Sequence, residues 1–238
     1  MSETIDPFFE PYNRDEIAYG DVPSAPLAAF LRQAAGGGKA IDLGAGAGRD
    51  TIALATAGYD VLAVDLSPRG TERILERASQ QGVEDRVRTE VADVRDIKIV
   101  PDSYDAICAT TVLDHIPPAD AETLWAQMTA GLRAGGVLYV EVHTTEDPGC
   151  PLEPGCNSAA PKSETADAVI NYFEPNQIAE WAIRPESRLR ILRYEERLEW
   201  DYTHGPEHQH GKAILLAVAA GSQPSWYGQP AAFPRKTR

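Results

Sequence analysis

Five residues, Gly44-Ala45-Gly46-Ala47-Gly48, alternate glycine with alanine directly after the short apolar run Lys39 to Leu43. Glycine lets a backbone turn through conformations closed to other residues and approach a ligand with no Cβ in the way. Between a strand and a helix, such a loop stands where parallel α/β sheets bind ligands, at the carboxyl ends of the strands. Three acids accompany it. Asp42 lies two residues before the first glycine, Asp65 ends the next apolar run, and Asp93 ends the one after, in "VADV". A carboxylate at Asp65, about 20 residues past the first glycine, suits the two hydroxyls of a ribose. One at Asp93 can accept from an adenine amino group, with Val94 as an apolar face beside it. The carboxylate of Asp42 suits a cation and would repel a pyrophosphate. The dinucleotide fingerprint G-x-G-x-x-G also fails, because Arg49 stands where its third glycine belongs. The constellation therefore points to a nucleoside-type ligand that carries positive charge, such as a sulfonium with a neighbouring amino group.

Displacement at a sulfonium carbon has a neutral leaving group, so positioning and exclusion of water can supply much of the acceleration. A thiolate or oxyanion acceptor needs no base; an amine or hydroxyl does. His115, in "TTVLDHIPP", follows the fourth apolar run, and His143 ends the fifth. Both are candidate bases or acceptor contacts, although His115 reads equally well as a helix cap or packing residue. His204, His208 and His210 crowd into "YTHGPEHQHGK" with Lys212. Alternate residues of a strand share a face, so His208 and His210 can point together. They read as acceptor contacts, as a metal site with Cys150 or Cys156, or as a polar surface turn. No standard zinc spacing is present, and no metal is expected. Cys150 and Cys156, in "EDPGCPLEPGC", are open to a disulfide, a lid thiol or plain packing, whereas Cys108 reads as core.

The elements that must position these groups alternate between strand and helix, the pattern of a parallel sheet covered by helices. Strands are expected at Lys39 to Leu43, Asp60 to Val64, Val87 to Val91, Tyr104 to Ala109 and Val137 to His143. Helices are expected at Gly48 to Ala57, Pro68 to Gln81 (with Ser67 as N-cap and Gly82 as stop) and Ala119 to Leu132 before a turn at Gly135 and Gly136. A further helix is expected between the third and fourth strands, and a short one at Pro175 to Ile183. Leu189 to Tyr202 and Lys212 to Ala219 read as two final strands joined by a His-rich turn. A connection that short makes the pair antiparallel. The fold class is thus α/β: a Rossmann-like, seven-stranded, mostly parallel sheet with an antiparallel last strand and helices on both faces. Residues 1–38 form an N-terminal segment whose aromatics Phe8, Phe9, Tyr12 and Tyr19 pack on the domain or fold over its ligand. Residues 39–221 form the domain, and residues 222–238 a loose tail.

Composition narrows the partners. Of 238 residues, 43% are hydrophobic and 24% charged, and the formal net charge is −14. Nucleic acids and anionic membranes favour a basic surface, so neither is an expected partner, whereas small or cationic ligands are. Three cysteines and no visible leader or long apolar run suggest a cytoplasmic enzyme. Nothing here sets the oligomeric state.

"IDLGAGAGRD", Asp65, "ADV" and the paired final strands resemble the class I S-adenosylmethionine-dependent methyltransferases, over roughly Tyr12 to Ala220. The resemblance implies S-adenosyl-L-methionine as cofactor and the seventh strand inserted antiparallel between the fifth and sixth. It implies cofactor contacts at Asp42, Gly44, Ala45, Gly46, Gly48, Asp65, Leu66, Asp93, Val94 and Thr110. Ala45 departs from the cysteine common in the family. The same segments, with "YDAICATTVLDHIPP" and the Pro-Cys stretch, are similar to the tellurite-resistance and thiopurine-methyltransferase-like branch, which acts on small soft nucleophiles. That implies a small-molecule acceptor, a thiol or chalcogen oxyanion, or else a nitrogen or oxygen, met by Tyr19, His204, His208 and His210. The arginine of the tellurite branch is missing from the segment before the last strand. The alternatives are a nicotinamide-dependent oxidoreductase and a cofactor-binding module without turnover.

Overall fold

A computed structural model describes residues 10–13, 19–33, 36–151, 169–203 and 206–220. Helix α1 (Ala25–Gln33) precedes the alternation β1 (Lys39–Leu43), α2 (Arg49–Thr56), β2 (Asp60–Asp65), α3 (Pro68–Gln80) and β3 (Val87–Val91). Then follow β4 (Tyr104–Thr110), α4 (Pro118–Gly131), β5 (Leu132–His143), α5 (Gln177–Ile183), β6 (Leu189–Asp201) and β7 (His208–Ala219). The seven strands lie in the order β3-β2-β1-β4-β5-β7-β6. Strands β1 to β5 pair in parallel, and β7 runs antiparallel to both β5 and β6. The strand order reverses between β1 and β4, so the carboxyl ends of these two open the crevice where such sheets bind ligands.

Local chemistry explains the turns that matter. Ser67 accepts from the Gly70 amide at 2.9 Å and Pro68 opens α3, so that helix is capped by side chain and ring together. Gly48 caps α2 in the left-handed region, φ 84°, with no side-chain cap; Asp50 in the first turn complements the helix dipole instead. The central strands are buried on both faces, which is why β4 and β7 read as apolar runs rather than alternating ones. One core lies under α4 and α5, with Leu113, Leu124, Met128, Phe173 and Trp181. The other lies under α1, α2 and α3, with Leu27, Phe30, Leu54, Ile74 and Tyr139.

Three expectations are corrected. No helix joins β3 to β4; residues 92–103 cross by turns, because Asp93, Pro101 and Asp102 interrupt any helical period. Gly135 and Gly136 make no separate turn but a kink inside β5, which starts at Leu132 opposite a register shift at Tyr104 and Ala106. Gly136 is required there, since a Cβ would stand 2.9 Å from the carbonyl oxygens of Arg133 and Tyr104. Strand β7 begins at His208 rather than Lys212, so His208 and His210 belong to the sheet and not to a surface turn. His204, Cys156, Phe8, Phe9 and the tail 222–238 lie outside the described residues. Among the described residues no helix is long and apolar enough to cross a membrane.

Helix α5 is pinned by aromatics: the Trp181 ring lies 5.2 Å from Phe173 and 5.7 Å from Trp125, and Trp125 donates to Ser187 Oγ at 3.1 Å. Deleting a buried aromatic loses transfer energy and leaves a cavity, so Trp181→Ala should cost about 3–5 kcal/mol. Urea unfolding should show this as a lower midpoint at unchanged slope.

Candidate active site

A cleft of about 1060 Å³ opens at the carboxyl ends of β1, β2, β4 and β5. Its floor is the glycine loop. Gly44, Gly46 and Gly48 have φ of 63°, 55° and 84°, a left-handed backbone at every second residue. Space is also closed to larger residues: a Cβ on Gly44 would meet Val112 Cγ2 at 2.5 Å, and one on Gly46 the Tyr12 hydroxyl at 2.8 Å. The Asp65 carboxylate ties the loop to the end of β2. One oxygen accepts from the Gly46 amide at 2.7 Å and the other from the Ser67 amide at 2.8 Å. Gly70, a glycine the sequence did not single out, lets α3 close over the loop, since a Cβ there would lie 2.7 Å from the Gly46 carbonyl.

Acids ring this floor. Asp42 is buried and accepts from Thr51 Oγ1 at 2.6 Å. Burial, then the neighbouring Asp50, push its carboxyl up to about 8, against the pull of Thr51 and Arg49. Asp50, buried beside Arg49 at 3.1 Å, accepts from Thr110 Oγ1 at 2.8 Å. Burial also raises Asp65, partly offset by the Ser67 and Gly46 amides. Asp93 is lowered by its hydrogen bonds from Arg95, which forks onto both carboxylate oxygens at 2.9 and 2.6 Å. Leu66 and Val94 line the same cleft, Leu66 about half exposed at 53%. Ala45 lines it as well.

The far wall carries the histidines, and the structure brings four of them into a row. Ring centroids are 5.9 Å apart for His115 and His143, 4.6 Å for His143 and His210, and 4.7 Å for His208 and His210. His143 has a fixed role for each nitrogen. Its Nδ1 bonds the buried Asp114 carboxylate, which also accepts from the His143 amide at 3.0 Å. Burial would raise Asp114, but the charge of His115 and the bond from His143 outweigh it, so Asp114 lies below the ordinary carboxylate range. An ionised Asp114 accepts, so His143 Nδ1 carries the proton. The Nε2 of His143 is buried with no hydrogen-bond partner among the described residues. Asp147 plays the same part for His210, accepting from its Nδ1 at 3.0 Å and from the Gly211 amide at 3.0 Å. Glu141, buried in β5, accepts from Tyr139 and stands 3.8 Å from Lys212 Nζ on β7.

The rim is apolar. Val22, Leu66, Ile170, Trp200 and Tyr202 are large hydrophobic residues with at least 48% exposure, and all five line this one cleft. Trp200 and Tyr202 stack with centroids 6.4 Å apart. Tyr19, half-buried, also lines the cleft and meets Tyr12 edge-on at 6.0 Å; Tyr12 rests on Ala47 of the glycine loop. Arg77 of α3 fastens that corner, donating to the Ala47 carbonyl at 2.7 Å. Cys108 is buried core, and Cys150 is half-buried away from the cleft lining.

Residues 40–136 match a protein family described as a methyltransferase domain. The fold agrees. TehB from Haemophilus influenzae superposes with a TM-score of 0.65 at 19% identity, covering 83% of this chain and 62% of its own. This segment is similar to a methyltransferase domain. The 1,6-didemethyltoxoflavin-N1-methyltransferase of Burkholderia thailandensis, solved with 1,6-didemethyltoxoflavin and S-adenosylhomocysteine bound, has the same fold, with a TM-score of 0.56 and 20% identity over 83% of this chain and 78% of that one. Among curated relatives, hemagglutinin 1 of Eikenella corrodens is 34% identical over 113 residues, 47% of this chain and 37% of that protein. The 27-O-demethylrifamycin SV methyltransferase of Amycolatopsis mediterranei is 29% identical over 160 residues, 66% of this chain and 58% of that protein. The chain thus spans between 37% and 58% of the length of these two relatives.

Gly44, Ala45, Gly46, Asp42, Asp65, Leu66, Asp93, Val94, Thr110, His115, His143, His210 and Tyr19 all line one cleft, whereas Gly48 lies off the lining, against Ile74 of α3. His208 stands behind His210 rather than on the lining. Asp50, Asp114, Glu141, Asp147, Asp201, Trp200 and Tyr202 were not foreseen. Asp114 adjoins His115 in "LDH", a signal within reach; Asp147 reaches His210 across 63 residues and had none.

The lowered Asp114 gives a signed pH dependence. Its stabilisation is fully present above the ordinary aspartate value, about 4, and is lost as pH falls through its lower folded value. Asp114→Asn should therefore destabilise by about 1–3 kcal/mol at pH 7, through the unmet bond to His143. The gap between variant and wild type should narrow in unfolding curves taken at pH 3.5 and below; a gap constant down to pH 3 would contradict the ionised pair.

Proposed function

We propose that this protein is an S-adenosylmethionine-dependent methyltransferase whose acceptor is a small, largely apolar molecule bearing a hydroxyl or thiol. The observation that carries the reading is the Asp114–His143 pair: an imidazole with its proton held on Nδ1 and an unmet, buried Nε2 at the wall of a cleft floored by a left-handed glycine loop. The charge pattern fits the cofactor. Asp50 sits in the first turn of α2, and Asp42 of β1 accepts from Thr51 of the same turn, where a dinucleotide's pyrophosphate would need the opposite charge, so a nicotinamide cofactor is disfavoured. Each Asp65 oxygen accepts one amide and keeps a lone pair for a ribose hydroxyl. Asp93, with Leu66 and Val94 lining the same cleft, suits the adenine.

S-adenosylmethionine supplies an electrophilic methyl carbon with a neutral thioether as its leaving group. The chain's own residues do the rest. His143 Nε2 accepts the acceptor's proton as the acceptor's lone pair bonds to carbon. Asp114 holds the ring in the right tautomer and stabilises the imidazolium that results. The apolar rim of Val22, Ile170, Trp200 and Tyr202 strips water from the acceptor, while Tyr12 and Tyr19 cover the cofactor side. This four-residue apolar rim favours a hydroxyl- or thiol-bearing apolar molecule over a chalcogen oxyanion. His115, His208 and His210 back the acceptor wall rather than take its proton.

Calorimetry should detect S-adenosylmethionine binding and no NAD(H) binding. Asp65→Ala should weaken the cofactor at least 30-fold. Against a panel of phenols, alcohols and thiols, His143→Ala should lower kcat by about 10²–10⁴ and leave cofactor affinity within threefold. No cofactor binding would remove the assignment; an unchanged kcat would remove His143 as base.

Cofactor binding should also release a proton. With Asp42 raised to about 8 by burial and Asp50, its carboxyl is mostly protonated at neutral pH, and a cationic ligand favours the ionised form. Affinity should therefore rise from pH 6 to pH 8 and flatten above it, and calorimetric heats at pH 7 should vary with the buffer's ionisation enthalpy. Proton uptake, or a flat profile across that window, would contradict this role of Asp42.

A further inference from the structure

Behind the acceptor wall the β6–β7 hairpin holds a second arrangement that methyl transfer does not use. His208 and His210 project from the same face of β7, 0% and 3% exposed, and Asp201 stands opposite His208 on β6. The outer nitrogen of each ring is engaged. His208 Nδ1 meets the Pro206 carbonyl at 2.6 Å, and a carbonyl can only accept, so that nitrogen carries the proton. His210 Nδ1 meets Asp147 at 3.0 Å. That Asp147 oxygen also takes the Gly211 amide, so it accepts and His210 Nδ1 carries the proton. The Gly149 amide donates to the other oxygen of that carboxylate at 2.7 Å. Gly211 has no Cβ for a reason: one would stand 2.4 Å from the Asp147 amide, so only glycine lets this loop reach the strand.

With Nδ1 donating in both rings, each neutral imidazole presents an unprotonated Nε2, and these two nitrogens lie 3.0 Å apart. Two lone pairs facing at that separation repel unless a cation lies between them. Asp201 Oδ2, 4.0 Å from His210 Nε2, adds a negative donor on the same side, and one donor atom from each of the three residues falls within 4.8 Å of the others. Nitrogens bound to one metal at about 2.1 Å, at angles of 90° to 109°, stand about 3.0–3.4 Å apart, the separation seen here. Imidazoles oriented by a carboxylate and a backbone carbonyl through the opposite nitrogen are the usual support of metal-bound histidines. A shared proton would satisfy the two nitrogens only; a metal cation also uses Asp201.

We propose that His208, His210 and Asp201 hold a first-row divalent transition cation of the zinc class, at the hairpin end of the cleft. Two nitrogen donors and one carboxylate suit zinc or iron(II) and disfavour magnesium and calcium, which take all-oxygen shells. Asp201 and His210 line the cleft, which gives the cation a way in and leaves its remaining positions open toward the acceptor. The ring of His143 lies 4.6 Å from that of His210, so an acceptor oxygen or sulfur bound to the cation would stand beside the proposed base. The site is independent of the methyl-transfer reading, because it can be loaded and measured with no cofactor or acceptor present.

The test is cobalt titration of the full chain after treatment with a chelator and gel filtration. One equivalent should bind with a dissociation constant of 10 μM or below, giving visible d–d absorption of a nitrogen-oxygen shell. Zinc should displace it, and a hundredfold excess of magnesium should not. Binding should weaken at least 100-fold in His208→Gln and at least tenfold in Asp201→Asn and in Asp147→Asn. Zinc should raise the melting temperature of the wild type and not of His208→Gln, with far-ultraviolet circular dichroism reporting the fold of each variant. Asp201 is partly exposed, so its variant keeps the test decisive if His208→Gln does not fold. No cobalt bound at 1 mM, displacement by equimolar magnesium, or wild-type affinity in Asp201→Asn and whichever histidine variant folds would overturn the site and leave the pair sharing a proton.

Discussion

The carboxylate of Asp65 joins the parts on which this molecule's chemistry depends. Its two oxygens take the amides of Gly46 and Ser67, so the middle of the glycine loop and the start of α3 are fixed to one point at the end of β2. That bond is possible only because the loop visits left-handed φ at Gly44, Gly46 and Gly48, which turns the Gly46 amide back toward β2. Gly70 completes the corner by letting α3 rest directly on the Gly46 carbonyl. The floor of the cleft is thus set by backbone and one acid, and the rest of the site is arranged around it.

Electrostatics divide the cleft into two halves. Beside the glycine loop, burial raises both Asp42 and Asp65, and the neighbouring Asp50 raises Asp42 further. Beside the histidine row, Asp114 and Asp147 are also buried but are lowered, because each faces a histidine that donates to it. The same residue type therefore does opposite work over one cleft: carboxyls raised by burial at one end, and carboxylates spent on orienting imidazoles at the other.

The fold was largely legible in the chain. Strand ends at Leu43, Asp65, Val91 and His143, and the capped helix at Pro68, are written in apolar runs, acids and prolines whose effects are local. Two errors came from non-local causes. The kink in β5 at Gly135 and Gly136 looks like a turn until β4 supplies a partner strand, and β7 extends back to His208 only because β6 pairs with it residue by residue as far as Asp201. No helix forms between β3 and β4, because Asp93 to Asp102 break the strand–helix rhythm locally.

What the sequence by itself determined is the loop and its acids: glycines at alternate positions and carboxylates at strand ends act through backbone geometry and nearest neighbours, which short stretches of chain encode. What only the tertiary structure decided is which partner each histidine has. Asp114 meets His143 across 29 residues and Asp147 meets His210 across 63, and the Nε2 atoms of His208 and His210 converge because the hairpin and the loop after β5 close on them together. Those contacts arise from packing between distant segments, and the role of an imidazole is set by what its other nitrogen bonds, so no local pattern could have assigned it.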